Sequence, residues 1–185
     1  MKVFEKPGPG NTDEACKIAI EKAMHLSVPI VAASTEGDAG ARLCVIAKEM
    51  GFNGEIVVVT HAYGSRKPGE NALKDENRKA MTESGARLVT AAHALSGVER
   101  GMSSRFQGVY PAEIMANSLR ILSQGIKVVV EIGSMALDAG AIAYGPDIVC
   151  MGGTGKGLDT AVVMKPAHAS AIFDTKIHEV LCMPY

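Results

Sequence analysis

Two glycine-containing segments carry residue types that bind phosphate. Residues 34–42 (STEGDAGAR) combine two hydroxyl side chains with glycines, and residues 152–157 (GGTGKG) combine four glycines with Lys156. Glycines let backbone amides approach an anion closely, hydroxyls donate hydrogen bonds, and lysine adds a point charge. Both segments therefore indicate anion binding. A helix N-cap with a glycine turn would equally explain the first, and a flexible hairpin connection the second.

The lysine-containing segment does not have the sequence of a nucleoside triphosphate loop. A Walker A motif requires G-x-x-x-x-G-K-[ST] opening into a helix. Here Cys150 stands at the first glycine position, Gly157 follows Lys156, and a strand-like sequence comes next. We therefore interpret residues 152–157 as a different kind of anion-binding loop.

Residues 93–110 lack a clear helical or strand pattern and form the longest predicted irregular segment. Ser103, Arg105 and Phe106 supply a hydroxyl, a cation and an aromatic ring within it. Long irregular segments in compact domains are usually functional or mobile. This one is either a binding loop whose aromatic ring stacks on a planar ligand, or a solvated surface loop.

Glu131 interrupts an apolar run in a predicted strand. Its carboxyl group is either exposed at the tip of that strand or partly buried with a raised pKa. Glu131 or His168 could serve as the base of a phosphate-handling enzyme, whereas His93, like His25 and His178, is interpreted as a surface or core residue. No spacing of histidines and carboxylates is typical of a metal site, so none is predicted.

Helical and strand-like patterns alternate along the chain and predict a single α/β domain over residues 1–185. The predicted helices are 15–26, 37–50, 69–85, 111–123 and 134–143. The predicted strands are 28–34, 55–61, 86–92, 126–132, 147–151, 160–165 and 176–183. This alternation favours a three-layer α/β/α sandwich on a mainly parallel sheet. The last strands lack helical crossovers between them, so we expect an antiparallel edge.

Ligands of such sheets bind at the carboxyl ends of the strands, where the unusual residues of this chain fall. The predicted ligand contacts are Ser34, Thr35, Gly37, Thr60, His61, Ser103, Arg105, Phe106, Glu131, Gly133, Gly152, Gly153, Thr154, Gly155 and Lys156.

The overall composition restricts the classes of partner. Nineteen basic and twenty acidic residues give a net charge of −1, which argues against a nucleic-acid or anionic-membrane surface. No signal-like start and no run of about 18 apolar residues are present. The four cysteines are scattered without a CxxC pair, which predicts reduced, mostly buried thiols in a cytoplasmic protein. The chain could also form a homo-oligomer.

The early segment 30–64 (IVAASTEGDAGARLCVIAKEMGFNGEIVVVTHAYG) resembles the start of the C-terminal domain of pyruvate kinase, and residues 151–165 (MGGTGKGLDTAVVMK) resemble its last hairpin. The whole chain is similar to small stand-alone proteins of archaea and bacteria that are built like this domain. The most specific match is residues 147–170 (DIVCMGGTGKGLDTAVVMKPAHAS).

That resemblance implies a phosphate site formed jointly by Ser34, Thr35, Gly37 and residues 152–156. For the stand-alone family it also implies that flavin mononucleotide (FMN) can occupy the site, with no established reaction. Pyruvate kinase activity is not implied, because the catalytic barrel alone needs about 250 residues. The alternative function is a regulatory or interaction module that responds to a sugar phosphate.

Overall fold

Seven strands and six helices make up the fold. The computed structural model describes residues 1–185. The strands are Lys2–Phe4 (β1), Ile30–Ala33 (β2), Ile56–His61 (β3), Arg87–Ala91 (β4), Ile148–Gly152 (β5), Thr160–Lys165 (β6) and Lys176–Pro184 (β7). The helices are Thr12–Leu26 (α1), Asp38–Glu49 (α2), Asp75–Glu83 (α3), Gly97–Phe106 (α4), Pro111–Arg120 (α5) and Gln124–Asp138 (α6). Short 3-10 turns cover Pro9–Asn11 and Ala169–Asp174.

All seven strands belong to one mixed sheet in the order β1-β7-β6-β5-β2-β3-β4. The strands β5, β2, β3 and β4 are parallel, whereas β6 is antiparallel to both of its neighbours and β1 is parallel to β7. Only residues 153–159 connect β5 to β6, which is too short for a parallel crossover. The predicted mainly parallel sheet with an antiparallel edge is confirmed.

Helices cover both faces of the sheet, as the three-layer prediction requires. Ile30 and Ala32 of β2 pack in a core shared with α1 and α2, whereas Val31 packs in a second core shared with α6. Met151 and Cys150 of β5 divide between the two cores in the same way. Successive side chains of a strand point to opposite faces, so a strand covered on both sides is apolar throughout.

The predicted strand at residues 126–132 is wrong, because these residues belong to α6. The predicted helix at 134–143 is the second half of the same element, which ends at Asp138. Twelve of the fifteen residues of α6 are buried. A helix enclosed on nearly all sides has no polar stripe, so its sequence is a continuous apolar run like that of a buried strand. The helix starts where the Ser123 hydroxyl accepts a hydrogen bond from Ile126 N at 3.0 Å.

The expectation of an irregular segment at 93–110 is also wrong, because it contains α4. This helix has no buried residue. A helix that packs no face against a core need not show an apolar stripe, which is the signal that sequence patterns provide. Two smaller differences are that α3 starts at Asp75 rather than at 69, and that the three-residue strand β1 was not predicted.

The four cysteines are buried and unpaired, as predicted. Burial raises the pKa of the Cys16 and Cys182 thiols to about 12. Both therefore stay protonated at neutral pH. None of the helices is both long enough and apolar enough to cross a membrane.

The N-terminal end of α6 comes very close to β5 and β6. A methyl group added at Gly152 would lie 2.6 Å from the carbonyl oxygen of Gly125, and one added at Gly125 would lie 2.0 Å from Thr160 Oγ1. Only glycine permits this approach. It places the start of α6 beside the carboxyl end of β5.

We expect Gly152→Ala to lower the free energy of unfolding by about 1–3 kcal/mol, because the added methyl group overlaps a backbone oxygen. Urea denaturation measures the change. Gly101→Ala in α4 is the matched control, since its added methyl group meets nothing within 4 Å. The control should keep or slightly increase stability, and equal stability of Gly152→Ala and wild type would contradict the close approach.

Candidate functional site

A cavity of about 550 Å³ opens at the carboxyl ends of the parallel strands. Its walls come from the segment after β2, the end of β3, the segment after β4, the loop after β5 and one face of α6. This is the sheet edge predicted from the sequence. The volume falls within the range of about 300–1,000 Å³ that is usual for small-molecule sites.

About half of the predicted contacts line this cavity. Those that line it are Ser34, Thr35, Thr60, His61, Glu131, Gly153, Gly155 and Lys156. Those that do not are Gly37, Gly133, Gly152, Thr154, Ser103, Arg105 and Phe106.

The loop between β2 and α2 presents five consecutive unpaired amides. None of the backbone N–H groups of residues 35–39 donates a hydrogen bond within the chain. Ser34 Oγ accepts from Gly40 N at 3.0 Å, so this hydroxyl caps α2, whereas the Thr35 hydroxyl has no partner. Gly37 shapes the turn, with φ of +94°. Unpaired amides and the positive end of the helix dipole make such a loop an anion site.

The loop between β5 and β6 is held in place at its base. The buried carboxylate of Asp159 accepts hydrogen bonds from Gly8 N at 2.9 Å and from Thr154 N at 3.2 Å. The amides of Gly153 and of residues 155–157 have no acceptor within the chain. The loop is therefore a fixed turn that offers unpaired donors, rather than a flexible connection.

Glu36 and Lys156 bring the two loops together. The Lys156 ammonium lies 3.7 Å from Glu36 Oε2, and Arg66 Nη1 lies 2.6 Å from Glu36 Oε1. The hydrogen bond from Arg66, followed by the charge of Lys156, lowers the pKa of Glu36. An anion entering the cavity would meet these same cations and compete with Glu36 for them.

Acidic and basic residues balance around the cavity. The acidic residues that line it are Asp13, Glu36, Asp38 and Glu131, and the basic ones are Arg42, Arg66, Lys127 and Lys156. Asp13 and Arg42 neutralise each other through two hydrogen bonds of 2.8 and 2.6 Å. An anion in this cavity would therefore have to be held by the unpaired amides and by individual cations, because there is no broad positive field.

Glu131 lies on α6 in the cavity wall and is 1% exposed. Its carboxylate accepts hydrogen bonds from Lys127 Nζ, from His93 Nδ1 at 3.0 Å and from Leu95 N at 3.0 Å. Burial by itself would raise the pKa of Glu131, but the hydrogen bond and charge of His93 and the charge of Lys127 lower it to about 2. Glu131 is thus buried, as the second alternative from the sequence expected, but its pKa is lowered rather than raised, and the exposed strand tip of the first alternative is wrong.

His93 is the site residue that the sequence interpretation missed. It lines the cavity beside His61, with ring centroids 4.3 Å apart and planes at 74°. Burial, followed by the charge of His93, lowers the pKa of His61. His93 Nε2 is buried and has no hydrogen-bond partner. Its position in the sequence could have indicated it. Ligands bind at the carboxyl ends of parallel strands, and His93 follows the end of β4 just as His61 stands at the end of β3.

The predicted contacts on α4 lie on the surface of that helix instead. Ser103 Oγ donates to Glu113 Oε1 at 2.6 Å, which joins α4 to α5. Phe106 is 69% exposed, and the Arg105 guanidinium carbon lies 5.8 Å from the centre of its ring. The folding of residues 97–106 into a helix keeps these three side chains away from the cavity wall.

Gly133 and His168 also lie elsewhere. Gly133 is a buried residue of α6 whose added methyl group would meet Met164 at 3.0 Å, so it faces β6. His168 Nδ1 lies 2.6 Å from Asp138 Oδ1 at the C-terminal end of α6, and its ring stacks on Tyr144. His168 does not line the cavity, so it is not placed to act on a ligand there.

The comparisons with known proteins give a fold likeness only. No family model matches the chain. A pyruvate kinase from Cryptosporidium parvum aligns with 84% of the chain at 14% identity and a TM-score of 0.42, and the alignment covers 22% of that enzyme. An O-ureido-L-serine synthase aligns with 77% of the chain at 16% identity and a TM-score of 0.31, covering 52% of that enzyme. The chain thus spans about a fifth of one protein and about half of the other.

Membership of the stand-alone family is therefore still a prediction. Structural similarities this weak do not indicate an activity or a ligand. The mixed α/β architecture itself is established by the strand order and the two layers of helices.

We expect Glu131→Gln to destabilise the protein by about 3–5 kcal/mol at pH 7, because it leaves the buried ammonium group of Lys127 without its carboxylate. The depressed pKa of Glu131 stabilises the folded state above the ordinary glutamate pKa, and this contribution is lost as the pH falls towards about 2. The difference in unfolding free energy between wild type and Glu131→Gln should therefore be about 1 kcal/mol smaller at pH 3.5 than at pH 7.

Urea denaturation at the two pH values measures this gap. Glu83→Gln is the control, since Glu83 is exposed and lies 3.8 Å from Lys79. It should change stability by less than about 1 kcal/mol at either pH. A gap for Glu131→Gln that does not shrink at pH 3.5 would contradict the depressed pKa.

Proposed function

We propose that the protein binds a small phosphorylated ligand in this cavity. The phosphate lies between the loop of residues 34–39 and the loop of residues 153–157, and the remainder of the ligand extends along α6. The observation that carries the proposal is that two separate loops with unpaired amides line one cavity, and that Lys156 of the second loop reaches Glu36 of the first.

A phosphate uses this arrangement better than a carboxylate does. Its oxygens accept hydrogen bonds from several directions, whereas a carboxylate is planar and carries two oxygens. The amides come from two separate loops that both line the cavity, and the Thr35 hydroxyl adds a further donor. A dianionic phosphate also gains most from the positive end of the α2 dipole.

For the ligand itself we propose FMN. A flavin ring needs an apolar wall and a few polar groups that fix its edge. Val128, Ile132 and Met135 of α6 supply apolar surface in the cavity, and Lys127 and His93 supply polar groups. Phe106 is not required in this arrangement, because aliphatic side chains provide the wall.

We expect Thr35→Val and Lys156→Met each to weaken FMN binding by about 1–3 kcal/mol, because each removes a donor to the phosphate. Quenching of flavin fluorescence during titration measures the affinity. Lys48→Met is the matched control, since Lys48 is exposed in the last turn of α2, and it should leave the affinity unchanged.

Riboflavin provides a second control, because it has the same ring without the phosphate. It should bind more weakly than FMN, and its affinity should not respond to Lys156→Met. Failure of the wild-type protein to bind FMN at micromolar concentrations would overturn FMN as the ligand. Equal binding of FMN and riboflavin would overturn the phosphate site.

The second candidate function is an interaction module that responds to a sugar phosphate. It is favoured by apolar side chains exposed on and after α4 and α5. These are Val98, Phe106, Val109, Ile114, Ile121 and Leu122, each more than half exposed. Large apolar side chains that are exposed in number on neighbouring elements are typical of surfaces that bind another protein. In this function, ligand binding at the cavity would control association through α4 and α5.

For this second function we expect fructose 1,6-bisphosphate to change the mass in solution, because ligand binding would alter the association surface. Light scattering after size-exclusion chromatography measures the mass. Val98→Ser with Phe106→Ser should abolish the change, and the exposed control Val45→Ser on α2 should preserve it. An unchanged mass with and without the sugar phosphate counts against this function.

A further inference from the structure

Helix α6 and the segment after β4 together place in the cavity wall a connected set of polar groups that phosphate binding does not use. Lys127, Glu131 and His93 are joined by hydrogen bonds and all line the cavity. Lys127 and Glu131 are 5% and 1% exposed. Well-packed apolar residues of the same size are often as stable as a buried ion pair, so stability alone does not account for these groups.

The contacts of Glu131 determine which nitrogen of His93 is basic. The carboxylate only accepts hydrogen bonds, so His93 Nδ1, at 3.0 Å, must carry the proton. In the neutral ring, Nε2 then holds the lone pair. Leu95 N fixes the other carboxylate oxygen at 3.0 Å, so the carboxylate that orients the ring is itself held in place. A carboxylate and an imidazole arranged in this way form the base and its orienting group in many enzymes.

Two further features make this nitrogen available for chemistry. His93 Nε2 has no partner in the protein, and a buried polar atom without a partner is rare. The ring of His61 lies against the His93 ring, at 4.3 Å between centroids, and the His61 side chain makes no hydrogen bond within the chain. His61 can therefore turn aside for a ligand without losing a hydrogen bond.

Lys127 supplies a positive charge beside this base. Its ammonium has three N–H donors, and Glu131 is its one hydrogen-bond partner within the chain. A base and a fixed cation in one buried site are suited to removing a proton next to a carbonyl group, because the cation stabilises the oxygen that becomes negative.

We infer that this part of the cavity is a proton-transfer site for phosphorylated hydroxycarbonyl compounds, with His93 Nε2 as the base and Lys127 beside the carbonyl oxygen. The C–H bond next to the carbonyl breaks and an N–H bond forms at Nε2. The electron pair of the C–H bond forms the new C–C double bond, and the π electron pair of the carbonyl group moves onto its oxygen, which gives an enediolate. The imidazolium then returns its proton to carbon, so no further reactant is needed.

Glu131 is the positioning residue in this reaction, since it touches His93 and not the substrate. The inference rests on the proposed phosphate site and not on FMN as the ligand. His93 replaces Glu131 and His168, the two bases suggested by the sequence. A pKa of about 2 makes the Glu131 carboxylate a weak base, and His168 lies outside the cavity.

Proton NMR in D₂O with dihydroxyacetone phosphate tests the inference. The wild-type protein should exchange a carbon-bound proton for deuterium faster than the solution without protein. His93→Gln should slow this exchange at least 100-fold, since general bases typically contribute about 100–10,000-fold. Its affinity for dihydroxyacetone phosphate, from calorimetry, should change less than threefold. His168→Gln should exchange at the wild-type rate, and dihydroxyacetone should exchange far more slowly than its phosphate.

The pH profile tests the role of Glu131. Removing the carboxylate makes the imidazolium of His93 less stable, so the acidic limb of the exchange rate should move to lower pH in Glu131→Gln. Glu131→Asp should keep a profile closer to that of wild type. A purely structural role would lower the rate at every pH and leave the limb in place, which would overturn Glu131 as the positioning residue.

The remaining outcomes separate the inference from the proposed function. Binding of dihydroxyacetone phosphate without exchange overturns the inference alone, and so does exchange by His93→Gln at the wild-type rate. Binding of FMN without binding of dihydroxyacetone phosphate also overturns it and leaves the phosphate site intact. Failure to bind FMN, dihydroxyacetone phosphate and inorganic phosphate overturns both. The wild-type measurements decide the inference even where a variant does not fold.

Discussion

The cavity depends on the hydrogen bonds and the ion pair that the Glu131 carboxylate makes. The carboxylate joins Lys127 of α6 to His93 and to the Leu95 amide in the segment after β4, and it is 1% exposed. Its desolvation is offset only because three donors converge on it. Without this carboxylate, α6 and the segment after β4 would share no polar contact at the cavity wall, and the charge of Lys127 would be buried alone.

The close approach of α6 to the sheet gives this carboxylate its position. Gly125 and Gly152 let the first turn of α6 meet the end of β5. The helix therefore starts beside the carboxyl end of β5 and crosses one face of the sheet towards the amino ends of the parallel strands, where Gly133 faces Met164. One end of the cavity then has unpaired amides suited to an anion. The other end has the ion pair of α6 and the histidines of β3 and of the segment after β4, which suit a neutral or weakly acidic group. The two kinds of surface favour a ligand with a phosphate at one end and a polar carbonyl-bearing group at the other.

Local patterns predicted the part of the fold that depends on contacts near in sequence. The helices α1, α2 and α5 and the strands β2 to β7 were predicted from periodicity, capping residues and glycine stops, because these signals act within one element. The first half of α6 was predicted as a strand, since a helix buried on nearly all sides has the same continuous apolar run. The exposed helix α4 gave no apolar stripe to detect.

The sequence by itself determined the chemistry available at the carboxyl edge: glycine loops, a lysine, hydroxyls and His61 follow parallel strands, and parallel strands end on one side of the sheet. Only the tertiary structure decided which side chains share the cavity. It placed His93 beside Glu131 and moved Ser103, Arg105, Phe106 and His168 away from it. The physical reason is that a buried ion pair between distant segments depends on three-dimensional packing, which no local pattern records.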